Sequence, residues 1–196
     1  DGQPLSNYQH QETLKNYHTW FRKSFYLIKT SKSVYHIRIT ADDYYKLYIN
    51  GSFVGQGPAP GYYFAYYYNE YDISSYLTDG ENSIEVRTYY QGLVNRVWNS
   101  GDYRQGMIAD ILESGSILLS SGTDWEYTVD HAYSGTRTAG YQTQYLEDYD
   151  SRIKLSEWKT ASEKSVDYTF YSAPVTPVSV YTQQPLSKKE TETGVT

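Results

Sequence analysis

Hydrophobic and polar positions alternate with a period of two in several short runs, and no run of useful length keeps the 3.6-residue period of an amphipathic helix. Residues 44–49 are the clearest case. Tyr45, Leu47 and Ile49 alternate with Tyr44, Lys46 and Tyr48, which predicts a strand with one buried face. Asn50-Gly51 follows. A two-residue type I′ loop needs φ > 0 at both central positions, which Asn and Gly tolerate best, so the chain is expected to return through Ser52-Phe53-Val54. Gly55-Gln56-Gly57-Pro58 should then end the pairing, because Gly is permissive and Pro lacks an N–H.

The same pattern marks the rest of the chain. Residues 20–28 read as the first strand. In 34–41, Tyr35, Ile37, Ile39 and Ala41 form the expected core face, opposite Val34, His36, Arg38 and Thr40. The aromatic run 61–70 has no clean period and reads as a loop or irregular strand, and 74–77 as a single helical turn. Ile84, Val86, Thr88 and Tyr90 share one face of a strand over 83–90. Residues 106–112 and 116–119 form a hairpin around Glu113-Ser114-Gly115, and 166–170 and 175–181 are late strands. Residues 91–104, with Gly92, Asn95, Trp98, Gly101 and Tyr103, read as a long loop of the kind that carries function. Short strands broken by turn signals every ~8–12 residues predict an all-β, antiparallel β-sandwich. The expected organisation is an N-terminal arm (1–16), a sandwich domain (17–186) and a C-terminal tail or truncated linker (187–196).

Composition narrows the function classes. The 196 residues include 25 Tyr against 5 Phe, 4 Trp and 1 Met. Tyr suits strands and half-buried surfaces, and it offers a flat apolar face with a hydroxyl handle for polar, ring-shaped partners. The net charge of −6 is spread over interspersed acids and bases, whereas nucleic-acid binding needs a basic stripe to neutralise phosphates. With no cysteine, disulfides and thiolate metal sites are impossible. No apolar run approaches the roughly 18–20 residues of a membrane span, and no signal peptide is visible. Opening at Asp1 without Met reads as a trimmed, processed or excised chain.

Three blocks carry a family resemblance. Residues 41–60, Ala-Asp-Asp-Tyr-Tyr-Lys-Leu-Tyr-Ile-Asn-Gly-Ser-Phe-Val-Gly-Gln-Gly-Pro-Ala-Pro, resemble the string A-D-N/D-x-Y-x-L-Y-I/V-N-G-x-x-V-G-x-G-P in the N-terminal region of bacterial α-L-rhamnosidases. Residues 71–84 resemble that family's Y-D-I/V-T-x-x-L-x-x-G-x-N-x-I. Glu147-Asp148-Tyr149-Asp150-Ser151-Arg152, followed by Trp158, resembles its G/Q-E-x-Y/D-D-A-R and W-x-x-A. The blocks occur in the family's order and, with Trp20-Phe21-Arg22-Lys23-Ser24-Phe25, span most of residues 20–186. The resemblance implies a jelly roll of the galactose-binding-like type, an accessory domain whose catalytic acids lie in a later helical barrel. No catalysis is therefore expected from this chain alone. Expected partners are a rhamnosyl-containing glycan or glycoside and the remainder of the parent enzyme.

Candidate chemistry is sparse. Glycoside hydrolysis usually needs two carboxylates flanking the scissile bond, but 23 Asp and Glu single out no pair. His10, His18, His36 and His131 lack metal-ligand spacing, and there is no G-x-S-x-G or P-loop. Asp42 and Asp43 at the strand mouth are either solvated turn residues or oxygen ligands for a hard cation or for sugar hydroxyls. Some members of the resembled family carry a calcium-assisted rhamnose site on this domain, whose matching positions include Asp42 and Asp43. Calcium takes about six to eight oxygens, several of which Asp42, Asp43, Asn82 and the Pro58 region would supply as metal ligands if their loops converge. Asp42, Asp43, Tyr45, Trp98 and Tyr103 are the sugar-binding candidates. Asp43 stands where several relatives have Asn. For Trp98 and Tyr103 the alternative is loop-anchoring packing. For Asp148, Asp150 and Arg152 the reading is a structural ion pair. The other function class open to the chain is a structural module that braces a barrel and binds no sugar.

Overall fold

The computed structural model describes residues 15–59, 65–92, 106–140, 144–163 and 169–172, and among these all regular structure is β. In chain order the strands are β1 (Tyr17–Leu27), β2 (Tyr35–Asp42), β3 (Tyr44–Ile49), β4 (Ser52–Gly57), β5 (Ala65–Asp72), β6 (Gly80–Tyr90), β7 (Gly106–Glu113), β8 (Ser116–Ser120), β9 (Glu126–Val129), β10 (Thr138–Ala139), β11 (Gln144–Tyr145), β12 (Lys159–Thr160) and β13 (Thr169–Ser172). A six-stranded sheet runs β12-β9-β1-β6-β3-β4, a five-stranded sheet runs β13-β5-β2-β7-β8, and β10 pairs with β11. Pairing is antiparallel except between β13 and β5. The fold is the expected β-sandwich.

Alternation assigns the faces. Tyr45, Leu47, Ile49, Ile84 and Val86 of one sheet meet Tyr35, Ile37, Ile39, Ala109 and Ile111 of the other in a single buried core, with Trp125 closing it. Such facing sheets pack about 10 Å apart. The Trp125 indole N–H is not left unpaired inside: it donates to the Ser120 carbonyl at 3.1 Å. Both hairpin turns have the backbone their residues favour. Asn50 and Gly51 have φ of 49° and 73°, and Ser114 and Gly115 have 48° and 89°.

Several boundaries differ from expectation. Pairing in β4 does not stop at Val54 but continues, past a bulge opposite Leu47/Tyr48, to Gly57 opposite Tyr45. The glycines make room for side chains between the sheets rather than end the strand. A Cβ on Gly55 would lie 2.5 Å from Tyr71 Cε1, and one on Gly57 would lie 3.0 Å from the Tyr45 hydroxyl. Residues 65–72 of the aromatic run form a regular strand, because β2 supplies its ladder partners. Ser74–Leu77 is a turn closed by Tyr76 N–H to Ile73 O (3.0 Å), not a helix. β1 starts earlier, at Tyr17, and β6 earlier, at Gly80. Most of the arm and all of the tail lie outside the described residues, as do 60–64, 93–105 and the strand expected over 175–181.

Candidate functional site

The chain changes sheets between β2 and β3. Asp42 is the last residue of β2, opposite Gly106 of β7, and Tyr44 is the first of β3, opposite Tyr89 of β6. Asp43 makes the crossing, and the Asp42–Asp43 peptide is cis, as is Gly57–Pro58 at the same end of the sandwich. This end gathers the C-termini of β2, β4 and β6 and the N-termini of β1, β3, β5 and β7. Residues 60–64 and 93–105, whose stretch includes the candidates Trp98 and Tyr103, connect strands here, and both candidates lie outside the described residues.

Neither aspartate is a solvated turn residue. Asp42 is 4% exposed and Asp43 is 3% exposed. The Asp43 carboxylate accepts the Gln91 N–H at 2.7 Å, and the Asp43 N–H donates to Tyr89 O at 3.1 Å, so Asp43 holds the end of β6 against the start of β3. A charge-assisted bond of this kind is about twice as strong as a neutral one. Burial, and then the Asp43 charge, raise the pKa of the neighbouring Tyr44 hydroxyl, which stays a neutral donor.

Tyr45 points between the sheets. Its hydroxyl lies 3.1 Å from that of Tyr71, which donates to Gln56 O at 3.0 Å and accepts from Asn69 Nδ2 at 3.2 Å. Burial raises the pKa of both phenols. Tyr45 thus supports the crossing from beneath. Tyr45→Phe is expected to cost about 1 kcal/mol in denaturant unfolding, the net worth of one buried hydrogen bond, because Tyr71 keeps its bond to Gln56.

Asn82 does not join the aspartates. It sits beside Asn50, at the far end of β3. The six residues of β3 lie between Asp43 and Asn50, and seven extended steps put the two ends about 23 Å apart. Asn82 Oδ1 accepts from Asn50 Nδ2 and from Thr78 N–H, each at 2.9 Å, and its Nδ2 donates to Thr78 O (2.8 Å) and Gly80 O (3.0 Å). It clamps the hairpin turn. Among the described residues no group of three or more His, Cys, Asp or Glu is placed to hold a metal ion. Asp150 and Arg152 form the expected local ion pair, with bonds of 2.8 and 2.7 Å, while Asp148 accepts from Ser134 Oγ.

A second cluster lies on the outer face of the six-stranded sheet. His18 of β1 is stacked between Tyr89 (centroids 4.4 Å apart) and Tyr133 (3.9 Å), and Tyr133 meets Tyr149 at 4.7 Å. An Arg87 N–H points at His18 Nδ1 from 3.3 Å, and the guanidinium lies 4.3 Å over the Tyr133 ring. No local pattern in the sequence marks this stack, since its contacting members stand 16 to 115 residues apart. A strand-leading Tyr-His-Thr-Trp was the single trace of it.

No protein-family model matches the chain, and no curated protein matches it. Solved structures do. The GH78-family rhamnosidase of Bacillus sp. GL1 is similar over 81% of this chain and 18% of its own, with 24% identity and a TM-score of 0.66. The α-L-rhamnosidase of Dictyoglomus thermophilum is similar over 80% of this chain and 19% of its own, at 26% identity and a TM-score of 0.56. For the Aspergillus terreus α-L-rhamnosidase the shares are 82% and 21%, at 23% identity and a TM-score of 0.61. The chain spans about a fifth of the length of these enzymes, and its fold is that of a rhamnosidase-related β-sandwich domain.

Proposed function

We propose that the chain is a non-catalytic, galactose-binding-like accessory domain of a bacterial α-L-rhamnosidase-like glycoside hydrolase, and that it binds a rhamnosyl-containing glycan or glycoside at the sheet-crossing end. The observation that carries this reading is the likeness of four-fifths of this chain to about a fifth of solved α-L-rhamnosidases. Bond cleavage would then belong to a barrel outside this chain. Placement supports the crossing as the binding end. Two adjacent carboxylates stand there, and the connections that carry Trp98 and Tyr103 and the aromatic run 61–64 enter the same end. Sugar sites combine apolar ring faces with a few fixed polar groups.

Calcium is the proposed assisting ion, with Asp42 and Asp43 as its protein anchors and Asn82 excluded by distance. Calcium takes about six to eight oxygens, so carbonyls, water and the sugar itself must complete the shell.

A specific observation favours the second reading, a brace without sugar affinity. Tyr26, Ile28, Val34, Ile117 and Leu118 are large apolar side chains left exposed near the opposite end of the sandwich. Calorimetric titration of L-rhamnose into the chain separates the two. Heat that disappears on chelation and in Asp42→Ala is the expected result. No heat with calcium present, from a protein that unfolds cooperatively, transfers the assignment to the brace.

A further inference from the structure

Residues 130–140 and 144–150 form the two arms of a long hairpin that lies on the outer face of the six-stranded sheet. Asp150 N–H bonds Ala132 O (2.9 Å), Ser134 N–H bonds Asp148 O (3.1 Å) and Leu146 N–H bonds Arg137 O (2.8 Å), with β10 and β11 beyond. Several contacts tie this hairpin to the sheet. Asp130 N–H donates to His18 O at 2.9 Å, Trp20 Nε1–H donates to the Asp130 carboxylate at 3.0 Å, and Asn16 Nδ2 donates to Gly135 O at 2.6 Å. The Arg87 guanidinium lies 4.3 Å over the Tyr133 ring, and His18 is clasped between Tyr89 of the sheet and Tyr133 of the hairpin.

We infer that this hairpin is an acid-released latch: protonation of His18 undocks both arms from the six-stranded sheet and uncovers Tyr89, Arg87 and Trp20. The reason is geometric. His18 is 8% exposed, and its Nδ1 lone pair accepts from Arg87 at 3.3 Å, so the docked ring is neutral with its proton on Nε2. A second proton would remove that acceptor and place a cation against the guanidinium.

The groups around the ring pull both ways. Arg87 from β6 and Lys46 from β3 oppose the charge, Asp130 from the hairpin favours it, and so do the faces of Tyr89 and Tyr133. Burial decides the balance: first burial and then Arg87 lower the His18 pKa to about 4, against the partial compensation of Asp130. The sign follows. A released His18 sheds its burial and moves up towards its ordinary value of about 6.5, with Arg87 and Lys46 still beside it on the sheet. Docking is therefore at full strength near neutral pH, weakens as pH falls towards 4, and levels off below. A gap of at most roughly 2.5 units caps the change in the docking equilibrium on the order of 10²-fold.

Amide hydrogen exchange on the intact chain tests this, with each rate divided by its intrinsic rate at the same pH. Protection of the Asp130 amide and of the Trp20 indole N–H, whose bonds cross between sheet and hairpin, is expected to fall by up to about 10²-fold between pH 7 and pH 4, while Ile37 in the core stays protected. In His18→Phe, which keeps a ring in the stack but cannot titrate, the fall should vanish. Arg87→Met provides an independent arm: with the opposing cation gone, the fall shrinks. The latch is overturned if hairpin protection does not change with pH, if Ile37 loses protection in parallel, or if His18→Phe behaves as the parent chain does.

Discussion

Gly55→Val is expected to lower the stability of the sandwich by about 3 kcal/mol, at the upper end of the usual cost of overpacking a core. The position looks like an ordinary flexible residue in the sequence and is a contact point between sheets in the fold. Any Cβ there would stand 2.5 Å from Tyr71 Cε1 and 2.8 Å from its hydroxyl. Tyr71 cannot swing aside cheaply, because its hydroxyl is bonded to Gln56 O, Asn69 Nδ2 and Tyr45. Equilibrium urea unfolding should show the midpoint lowered with the slope unchanged. A companion Tyr71→Ala change should partly relieve the valine, since the ring it strikes is gone. Near-additive losses in the double variant would mean that Gly55 serves some other purpose.

Asn82→Ala should cost a similar amount, about 3 kcal/mol, or a melting temperature lower by roughly 6–12 °C. One amide satisfies four groups there: Asn50 Nδ2, Thr78 N–H, Thr78 O and Gly80 O. Truncation leaves partners of a buried side chain unsatisfied, and each such group costs about 1–3 kcal/mol. Asn82→Asp keeps one acceptor but sets its second carboxylate oxygen against the Thr78 and Gly80 carbonyls in a buried site, so a loss at least as large is expected. The measurement also separates clamp from ligand. A clamp makes the loss the same in calcium and in chelator, whereas a metal ligand makes the calcium-induced stabilisation itself disappear.

How much of this was legible in the residues depends on the range of the interaction. Faces came from neighbours in sequence: Tyr45-Leu47-Ile49 and Tyr35-Ile37-Ile39-Ala41 are buried where a period of two places them. Asn50-Gly51 marked its turn because the required φ is a property of those two residues. What failed was tertiary. Gly55 and Gly57 read as terminators because the groups that need their missing side chains, Tyr71 for Gly55 and Tyr45 and Asn69 for Gly57, meet them only in the folded sandwich. Of the two readings of Asp42 and Asp43 the solvated turn failed, since nothing local reveals that the chain changes sheets between them and buries both. Asn82 was grouped with the aspartates by chemistry alone, and the length of β3 keeps them apart. The His18 stack had no chance of being read, because alternation marks which face a residue takes but not which distant ring will meet it. Trp98 and Tyr103 remain expectations from their place in a long connection.

The claim that sugar enters at the sheet crossing is tested most directly by backbone chemical-shift mapping with L-rhamnose in the presence of calcium. The expected result is a set of shifted amides at Asp42, Asp43, Tyr44 and Gln91 and in the connections beside them, with Asn50, Asn82 and Ser114 unmoved. Shifts gathered at the Asn50 end, or a folded spectrum that no concentration of rhamnose alters, would contradict it.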